Sequence, residues 1–530
     1  MTPQQIQLRA MANAGTLSDL RWPDFNNLRQ QIVSFYDAGN DQPAWSVSGK
    51  PIPQAAAMIA QFKNASAEGL NPEDYDASRW DARMAKVQSS SPPPSPDDLN
   101  NFDLAMTVSA MRLVSDLHDG RVDPRILKIG LQSNAAHFDL AAAMRTLILP
   151  AANMDLAIQS VEPPYAGYKR AEGALATYLK MAAAGDTKAI PVPDKSIHPG
   201  SHYSAIADLA ARLKQLDDLP ADTDIPSNQT QYKGPIVDGV RHFQDRMGLE
   251  PDGVLGKGTV IELNRPLSYR VEQLQFTLER YRWIPTSFPE PPILINIPEF
   301  VLRTMRNQPA PFLQMRVIVG KAYGKQTPVF ADYMKFVIFH PYWDVPPSIQ
   351  HGELVGKISR NREYVAANDF EVVDDSDNVV TDDSVSDDVL SGLRSGRYRV
   401  RQRPGDKNAL GPIKFIFPND YDVYLHGTPA QSLFTRARRD FSHGCIRVEN
   451  PEELADWVLR DQPGWDANRI KQTLENDETV RVSLIKPIPV LILYSTAVVE
   501  PDGEIKFFND IYGYDAKLKA LLASGYPPKG

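Results

Sequence analysis

The chain has 530 residues, with 57 lysines and arginines against 66 aspartates and glutamates, and it contains one cysteine, Cys445. The length predicts several domains, because single hydrophobic cores stop growing at about 250 to 300 residues. The net charge of −9 argues against a nucleic-acid partner, which needs a concentrated basic surface. A single cysteine excludes both an intrachain disulfide and a cysteine-rich zinc site.

Residues 1–195 carry apolar side chains at spacings of three and four, as in Asp103–Val114 and Leu140–Leu149. This spacing predicts amphipathic helices. No apolar run is long enough to span a bilayer, and Met1–Gln5 lacks the basic and then apolar pattern of a secretory signal. We therefore predict a helical domain here. Two alternatives stay open for the location: the chain is cytosolic, or a signal or membrane tether lies outside the given sequence.

Residues 196–267 have the pattern of three short helices. The predicted helices are Ala205–Leu216, Val237–Met247 and Thr259–Leu263. Gly248 is the stop signal of the second helix, and the Pro-Asp-Gly sequence at 251–253 predicts a turn before the third. This segment is therefore expected to form a compact three-helix unit.

Beyond Pro291 the apolar side chains alternate with a period of two, which predicts β-strands. Examples are Ile293–Ile297, Gln314–Val319 and Lys335–Phe339. We predict a mostly-β domain over residues 291–530, with a less regular insertion at about 350–405 that is rich in Asp, Ser and Gly. The predicted fold class is multidomain α + β.

The single cysteine lies in a segment whose residue types are those of a reactive thiol. A thiol attacks as its thiolate, and a nearby imidazole can take its proton. His443 lies two residues before Cys445, and His426 lies nineteen before it, after a predicted strand. Neighbouring strand ends would bring His426 to the thiol. A lone cysteine is usually a small buried hydrophobe, but the Gly and His residues that flank this one favour a nucleophile.

Two neighbours of Cys445 extend this hypothesis. Gly444 lets the backbone approach a substrate closely, and the amides around Cys445 are candidates for an oxyanion hole. Arg447 alternates with Cys445 along an extended segment, so it faces the same side and can hold a carboxylate. The seven remaining histidines have no metal-ligand spacing. The sequence therefore predicts no metal and no cofactor.

The segment from His426 to Arg447 resembles the signature of the YkuD-type L,D-transpeptidases. That signature is a His, a gap of about fifteen residues, Ser/Thr-His-Gly-Cys, an apolar residue, and Asn or Arg; Ser442–Arg447 fits it after fifteen intervening residues. Segments such as Glu68–Tyr75 and Pro341–Ile349 resemble the large YcbB type of this family. Residues 243–263 resemble the peptidoglycan-binding type 1 module.

The resemblance implies a specific activity. Members of the family cut the bond between the third residue of a peptidoglycan tetrapeptide stem, often meso-diaminopimelate, and D-alanine. The cysteine forms a thioester, and the amine of a neighbouring stem then attacks it to give a 3→3 cross-link. The expected partners are stem peptides, glycan and carbapenem-type inhibitors, and the expected location is the periplasm or cell envelope.

By motif position, the resemblance implies that Cys445 is the nucleophile and His426 the general base, oriented by the carbonyl of Gly427. Backbone amides near His443, Gly444 and Cys445 would hold the oxyanion, and His443 would shape the site rather than act as the base. The residues expected to bind substrate are Arg447, Tyr424, Ser442 and Trp343.

The resemblance also implies the domain organisation. A helical scaffold is expected at 1–195, resuming at 268–290, with a peptidoglycan-binding module at 196–267. The catalytic domain would cover 291–530, with a lid at about 350–405. Two alternatives stay open: a thiol hydrolase of the same fold, which would pass the acyl group to water, and a non-catalytic wall-binding scaffold. A papain-like protease fits poorly, because here the His precedes the Cys.

Overall fold

The computed structural model describes residues 1–131, 138–305 and 311–528. The chain divides into two compact units: the first comprises Met1–Ser287 with Ser495–Gly530, and the second comprises Phe288–Tyr494. Helices dominate the first unit and strands dominate the second, which confirms the predicted multidomain α + β class. Among the described residues, no helix combines the length and the apolar character needed to cross a membrane.

The first unit is organised around one long helix. The helices up to residue 287 are α1 Pro3–Ala14, α2 Arg29–Ala38, α3 Pro53–Asn64, α4 Trp80–Gln88, α5 Pro96–Asp119, α6 Leu140–Ala143, α7 Met154–Gln159, α8 Ala166–Ala184, α9 Ile206–Gln215, α10 Pro235–Arg246, α11 Lys257–Leu263 and α12 Leu267–Arg282. β1 Ser46–Val47 and β2 Lys50–Pro51 form a short antiparallel ribbon. A capping box between Ser95 and Asp98 starts α5, and every residue from Phe102 to Val114 is buried. Helix α5 is therefore the centre of the first hydrophobic core.

The three helices predicted within residues 196–267 are present as α9, α10 and α11. Their buried side chains, such as Leu209 and Val240, belong to one hydrophobic core with side chains of α8 and α12, such as Leu175 and Leu274. A contiguous core of this kind holds all five helices together.

The second unit is built from strands, as the alternation predicts. They are β3 Ile293–Asn296, β4 Val301–Met305, β5 Pro311–Gly320, β6 Phe330–Phe339, β7 Trp343–Asp344, β8 Phe370–Val373, β9 Val379–Thr381, β10 Arg399–Gln402, β11 Ile413–Ile416, β12 Leu425–His426, β13 Asp440–Ser442, β14 Ile446–Val448 and β15 Val480–Leu493. Nine of them form one sheet in the order β13-β5-β14-β12-β11-β6-β15-β3-β4, and a further β4–β5 pairing closes the sheet on itself. The helices of this unit are α13 Pro347–Ile349, α14 Val355–Arg360, α15 Tyr364–Ala367, α16 Asp387–Ser395, α17 Pro451–Leu459 and α18 Ala467–Glu475.

The insertion is more regular than its composition predicts. Residues 343–402, which we name the insertion subdomain, contain a four-stranded sheet in the order β7-β10-β8-β9 together with α13 to α16. They have a hydrophobic core of their own, which includes Val372, Leu393 and Val400. The Asp-rich stretches form turns and helix starts between short apolar strands. The composition of the whole segment is therefore that of a loop, although the segment folds as a subdomain.

The C-terminal residues return to the first unit. β16 Ala497–Val499 and β17 Ile505–Phe507 form the antiparallel hairpin that the Pro-Asp-Gly sequence at 501–503 predicts, and α19 Tyr514–Ala523 follows. Ala497, Val499 and Phe507 pack in the core that contains α8 to α12. The sequence groups these residues with the mostly-β domain because the hairpin follows the long strand β15 without a change of pattern.

Candidate active site

The register of two short strands puts the candidate residues on one face of the sheet. β12 and β14 run parallel, with Leu425 opposite Ile446 and His426 opposite Arg447. Leu425 and Ile446 are fully buried in the core. Because successive side chains of a strand point to opposite faces, the alternate residues on both segments face away from that core. They are Tyr424, His426, Cys445 and Arg447.

His426 is held in one tautomer. Its Nδ1 lies 2.6 Å from the carbonyl oxygen of Gly427. A carbonyl only accepts, so Nδ1 carries the ring proton and Nε2 keeps its lone pair. Burial, and next the positive charge of Arg447, lower the pKa of His426 to about 3. The imidazole is therefore neutral at physiological pH, with Nε2 available to accept a proton. This is the contact with Gly427 that the family resemblance implies.

Cys445 rests as a neutral thiol. Its Sγ points to the carbonyl oxygen of Asp422 at 3.6 Å, and within the described residues no hydrogen bond joins Sγ to the His426 ring. Burial raises the pKa of the thiol, partly offset by Tyr424 and by the charge of Lys414. Tyr424 and Cys445 are opposite each other in the register, so His426 is the diagonal neighbour of the thiol. Proton transfer therefore needs a rotation of the thiol towards Nε2.

A tight turn presents Cys445 at the start of β14. The amide of Gly444 donates to the Ser442 hydroxyl at 3.2 Å, and that hydroxyl donates to the Cys445 carbonyl at 2.5 Å. The hydroxyl of Thr327 donates to the Gly444 carbonyl at 2.7 Å. Gly444 has a φ of 126°, a conformation that other residues rarely adopt. Ser442, expected to bind substrate, thus has its hydroxyl engaged inside the turn.

Two backbone amides of this turn remain candidates for holding an oxyanion. The Gly444 amide is occupied by Ser442. The amides of His443 and Cys445 make no hydrogen bond within the part of the chain that the structure describes. Unsatisfied amides beside a nucleophile are the donors that an acyl-transfer site uses. The geometry therefore favours His443 and Cys445 over Gly444 among the three amides that the sequence singles out.

The side chain of His443 belongs to a different contact. Its Nε2 lies 2.6 Å from Oε1 of Glu353, a residue of the π-helical turn Gln350–Leu354 in the insertion subdomain. Lys325 Nζ also approaches Glu353, at 3.5 Å. His443 thus ties the turn that carries Cys445 to the insertion subdomain.

Tyr424 and Trp343 line the face that carries the thiol. The ring centroids of Tyr424 and His426 are 5.6 Å apart. The Tyr424 hydroxyl interacts with the side chains of both Cys445 and Trp343, and burial raises its pKa. Trp343 begins the insertion subdomain, where it pairs with Gln402 and lies 6.2 Å from the ring of Phe370. The structure therefore brings Trp343 together with the residues of the motif.

Two family models match the chain. Residues 291–482 match the L,D-transpeptidase catalytic domain, YkuD, and residues 30–175 match a scaffold domain. Residues 291–482 thus form an L,D-transpeptidase catalytic domain of the YkuD type. The matched residues include all of the candidate site, from Trp343 to Arg447.

Two known proteins are similar to this chain. A protein of Haemophilus influenzae with the name "Putative L,D-transpeptidase" is 34% identical over 247 residues, which are 47% of this chain and 49% of that protein. The match thus spans about half the length of this relative. The crystal structure of an L,D-transpeptidase from Stackebrandtia nassauensis is 14% identical and covers 57% of this chain and 97% of that chain, with a TM-score of 0.20.

The L,D-transpeptidase domain has a further charged residue that the sequence reasoning missed. Lys414 of β11 lies opposite His426 in the antiparallel pair β11–β12. Its Nζ lies 3.9 Å from the centroid of the Tyr424 ring. Burial lowers the pKa of this lysine. The signal is the alternation along β11, where Phe415 is buried in the core and Lys414 therefore faces the side of the sheet that carries the site.

The reactivity of the Cys445 thiol is expected to depend on pH through the ionisation of the thiol itself. We expect the rate of alkylation of Cys445 by iodoacetamide to rise continuously from about pH 6 to about pH 9, because only the thiolate reacts. Its pKa lies above the ordinary value of 9.0, and His426 is uncharged over this range, so no imidazolium stabilises the thiolate. Intact-mass kinetics at several pH values measure this rate, and a plateau near neutral pH would instead reveal a thiolate–imidazolium pair.

Proposed function

We propose that this protein is a peptidoglycan L,D-transpeptidase that forms 3→3 cross-links through a thioester on Cys445. The observation that carries the proposal is the shared sheet face of the YkuD domain. There a neutral His426, with its Nε2 unprotonated, lies diagonally across from the only thiol of the chain. A base and a nucleophile so placed are the minimal parts of covalent acyl transfer.

In the acylation step, Nε2 of His426 takes the proton of the thiol. The thiolate attacks the carbonyl carbon of the third stem residue, and the S–C bond forms as the carbonyl oxygen becomes an oxyanion. The amides of His443 and Cys445 donate to that oxygen. The C–N bond to D-alanine then breaks, and the imidazolium of His426 returns its proton to the leaving amine. The carbonyl of Gly427 stabilises the imidazolium throughout by accepting from Nδ1.

In the transfer step, the side-chain amine of a neighbouring stem attacks the thioester carbon. His426 takes the proton that the amine loses, the C–S bond breaks, and the thiolate recovers a proton from the imidazolium. The products are an amide cross-link and the free enzyme, so protons and bonds balance. Water in place of the amine would give the hydrolase reaction from the same acyl-enzyme.

The remaining parts of the chain take supporting roles in this proposal. Residues 1–195 with 268–290 act as the scaffold, residues 196–267 bind peptidoglycan, and the insertion subdomain acts as a lid that His443 and Glu353 hold over the thiol. The catalytic domain would reach across residues 291–530. Carbapenem-type inhibitors acylate Cys445. The substrate places the protein in the periplasm or cell envelope, and its net charge of −9 disfavours a nucleic-acid partner.

Incubation with disaccharide-tetrapeptide, followed by mass spectrometry of the products, tests this function. We expect a cross-linked dimer together with free D-alanine from the wild type, and neither from Cys445→Ala. Tripeptide without dimer would establish the hydrolase instead. If no product depends on Cys445, both the transpeptidase and the hydrolase hypotheses are wrong, and the non-catalytic wall-binding scaffold remains.

A further inference from the structure

A row of three side chains crosses the sheet beside the thiol. The register places Arg447 opposite His426 on one side and Lys414 opposite His426 on the other. The three side chains therefore share the face that carries Cys445. Two cations thus flank a base that is itself uncharged.

Neither cation is paired with a carboxylate among the residues that the structure describes. Within the described residues, Lys414 and Arg447 form no salt bridge, and Nε of Arg447 is buried without a hydrogen-bond partner. The carboxylate that acts on Lys414 at longer range, Asp344, is itself paired with Arg399 at 2.9 Å. Both residues are partly exposed, so each remains accessible to an anion from solution.

The Cys445 thiolate can neutralise only one of the two positive charges, those of Lys414 and Arg447. Cys445 lies within electrostatic reach of both Lys414 and Arg447. When the thiol passes its proton to His426, one negative charge faces the new imidazolium and the two cations, so a cation remains for a second anion. Lys414 is the better placed for it, because its ammonium rests on the face of the Tyr424 ring and the hydroxyl of that same ring reaches the thiol.

We propose that Lys414 binds the terminal carboxylate of the departing D-alanine and so selects donors that end one residue after the scissile bond. This inference rests on the proposed function and names a substrate-binding residue for it. A terminal carboxylate lies about one residue length, roughly 3.8 Å, from the scissile carbonyl. Tyr424 lies on the strand next to Cys445, roughly 4.8 Å away, and the Lys414 side chain reaches from the following strand, β11, to the face of the Tyr424 ring. A carbonyl at Cys445 therefore places the carboxylate near the ammonium over Tyr424.

Three donors and two variants test the assignment. The donors are a tetrapeptide with a free terminal carboxylate, the same peptide as its terminal amide, and one with the side-chain carboxylate of diaminopimelate amidated. We expect Lys414→Met to lower kcat/KM about 30-fold for donors with a free terminus and less than about threefold for the terminal amide, as for the loss of a charged hydrogen bond. Lys414→Arg keeps the charge and should retain most of the preference for the free acid.

The control is Lys335→Met, which removes an exposed lysine of β6 in the same sheet. It should leave all three rates unchanged. An equal loss of kcat/KM on all three donors in Lys414→Met would overturn the assignment. So would a loss that occurs with both donors that have a free side-chain carboxylate but not with the donor whose side-chain carboxylate is amidated. If the wild type releases D-alanine but its preference for the acid survives in Lys414→Met, only this inference fails. If the wild type releases no D-alanine, the proposed function fails, and the inference with it.

Discussion

Cys445→Ala is expected to abolish both the release of D-alanine from a tetrapeptide donor and the covalent addition of one carbapenem per chain. The thiol is the only one in the protein, so no other side chain can form the thioester. The contact of its Sγ with the Asp422 carbonyl is long at 3.6 Å, and its other polar contact is with the Tyr424 hydroxyl. We therefore expect the free energy of unfolding to change by no more than about 1 kcal/mol. Product analysis and intact mass measure the two losses, and denaturant unfolding checks the fold.

Cys445→Ser is the matched variant for this prediction. A hydroxyl keeps the size and the hydrogen-bonding capacity of the side chain but is much harder to deprotonate. It should retain donor binding and lose turnover. Carbapenem adducts that persist in Cys445→Ala would contradict the assignment of the nucleophile.

His426→Gln is expected to lower the rate of acylation by about 10³-fold, within the range that general base catalysis contributes. The glutamine amide can still donate to the Gly427 carbonyl, but it has no basic nitrogen to replace Nε2. His443→Ala should cost less than about tenfold, because the His443 ring contacts Glu353 rather than the thiol. Carbapenem acylation followed by stopped-flow or intact mass measures both rates.

Two further results separate the roles of these histidines. Glu353→Gln removes the charged partner of His443 and should reproduce the small effect of His443→Ala. Melting temperatures of all variants show whether the turn still folds. A larger loss in His443→Ala than in His426→Gln would reverse the assignment of the base.

The geometry of the site could be predicted where strand periodicity determines it. Tyr424 and His426 alternate on one segment and Cys445 and Arg447 on another, and the observed register puts all four on the same face. Sequence separation conveys nothing about neighbouring strands, however. Lys414 lies in the site because β11 pairs with β12, which puts Lys414 opposite His426. The residue pattern of either strand alone does not indicate this pairing.

The remaining differences arise from contacts between distant residues. His443 bonds to Glu353, ninety positions away, so its role in holding the insertion subdomain is invisible in the motif. The subdomain itself has short strands between acidic turns, which resemble loops when read one residue at a time. The Pro-Asp-Gly sequence at 501–503 indicates the hairpin after β15, but the packing of this hairpin against α8 to α12 depends on a hydrophobic core that no local pattern specifies.

The most direct test of a thioester on Cys445 is the intact mass of the wild-type protein during turnover of a tetrapeptide donor. We expect an adduct on Cys445 that adds the mass of the donor minus D-alanine, and we expect this adduct to disappear when an acceptor amine is added. An adduct that still contains D-alanine, or D-alanine release that persists in Cys445→Ala, would contradict a thioester at this residue.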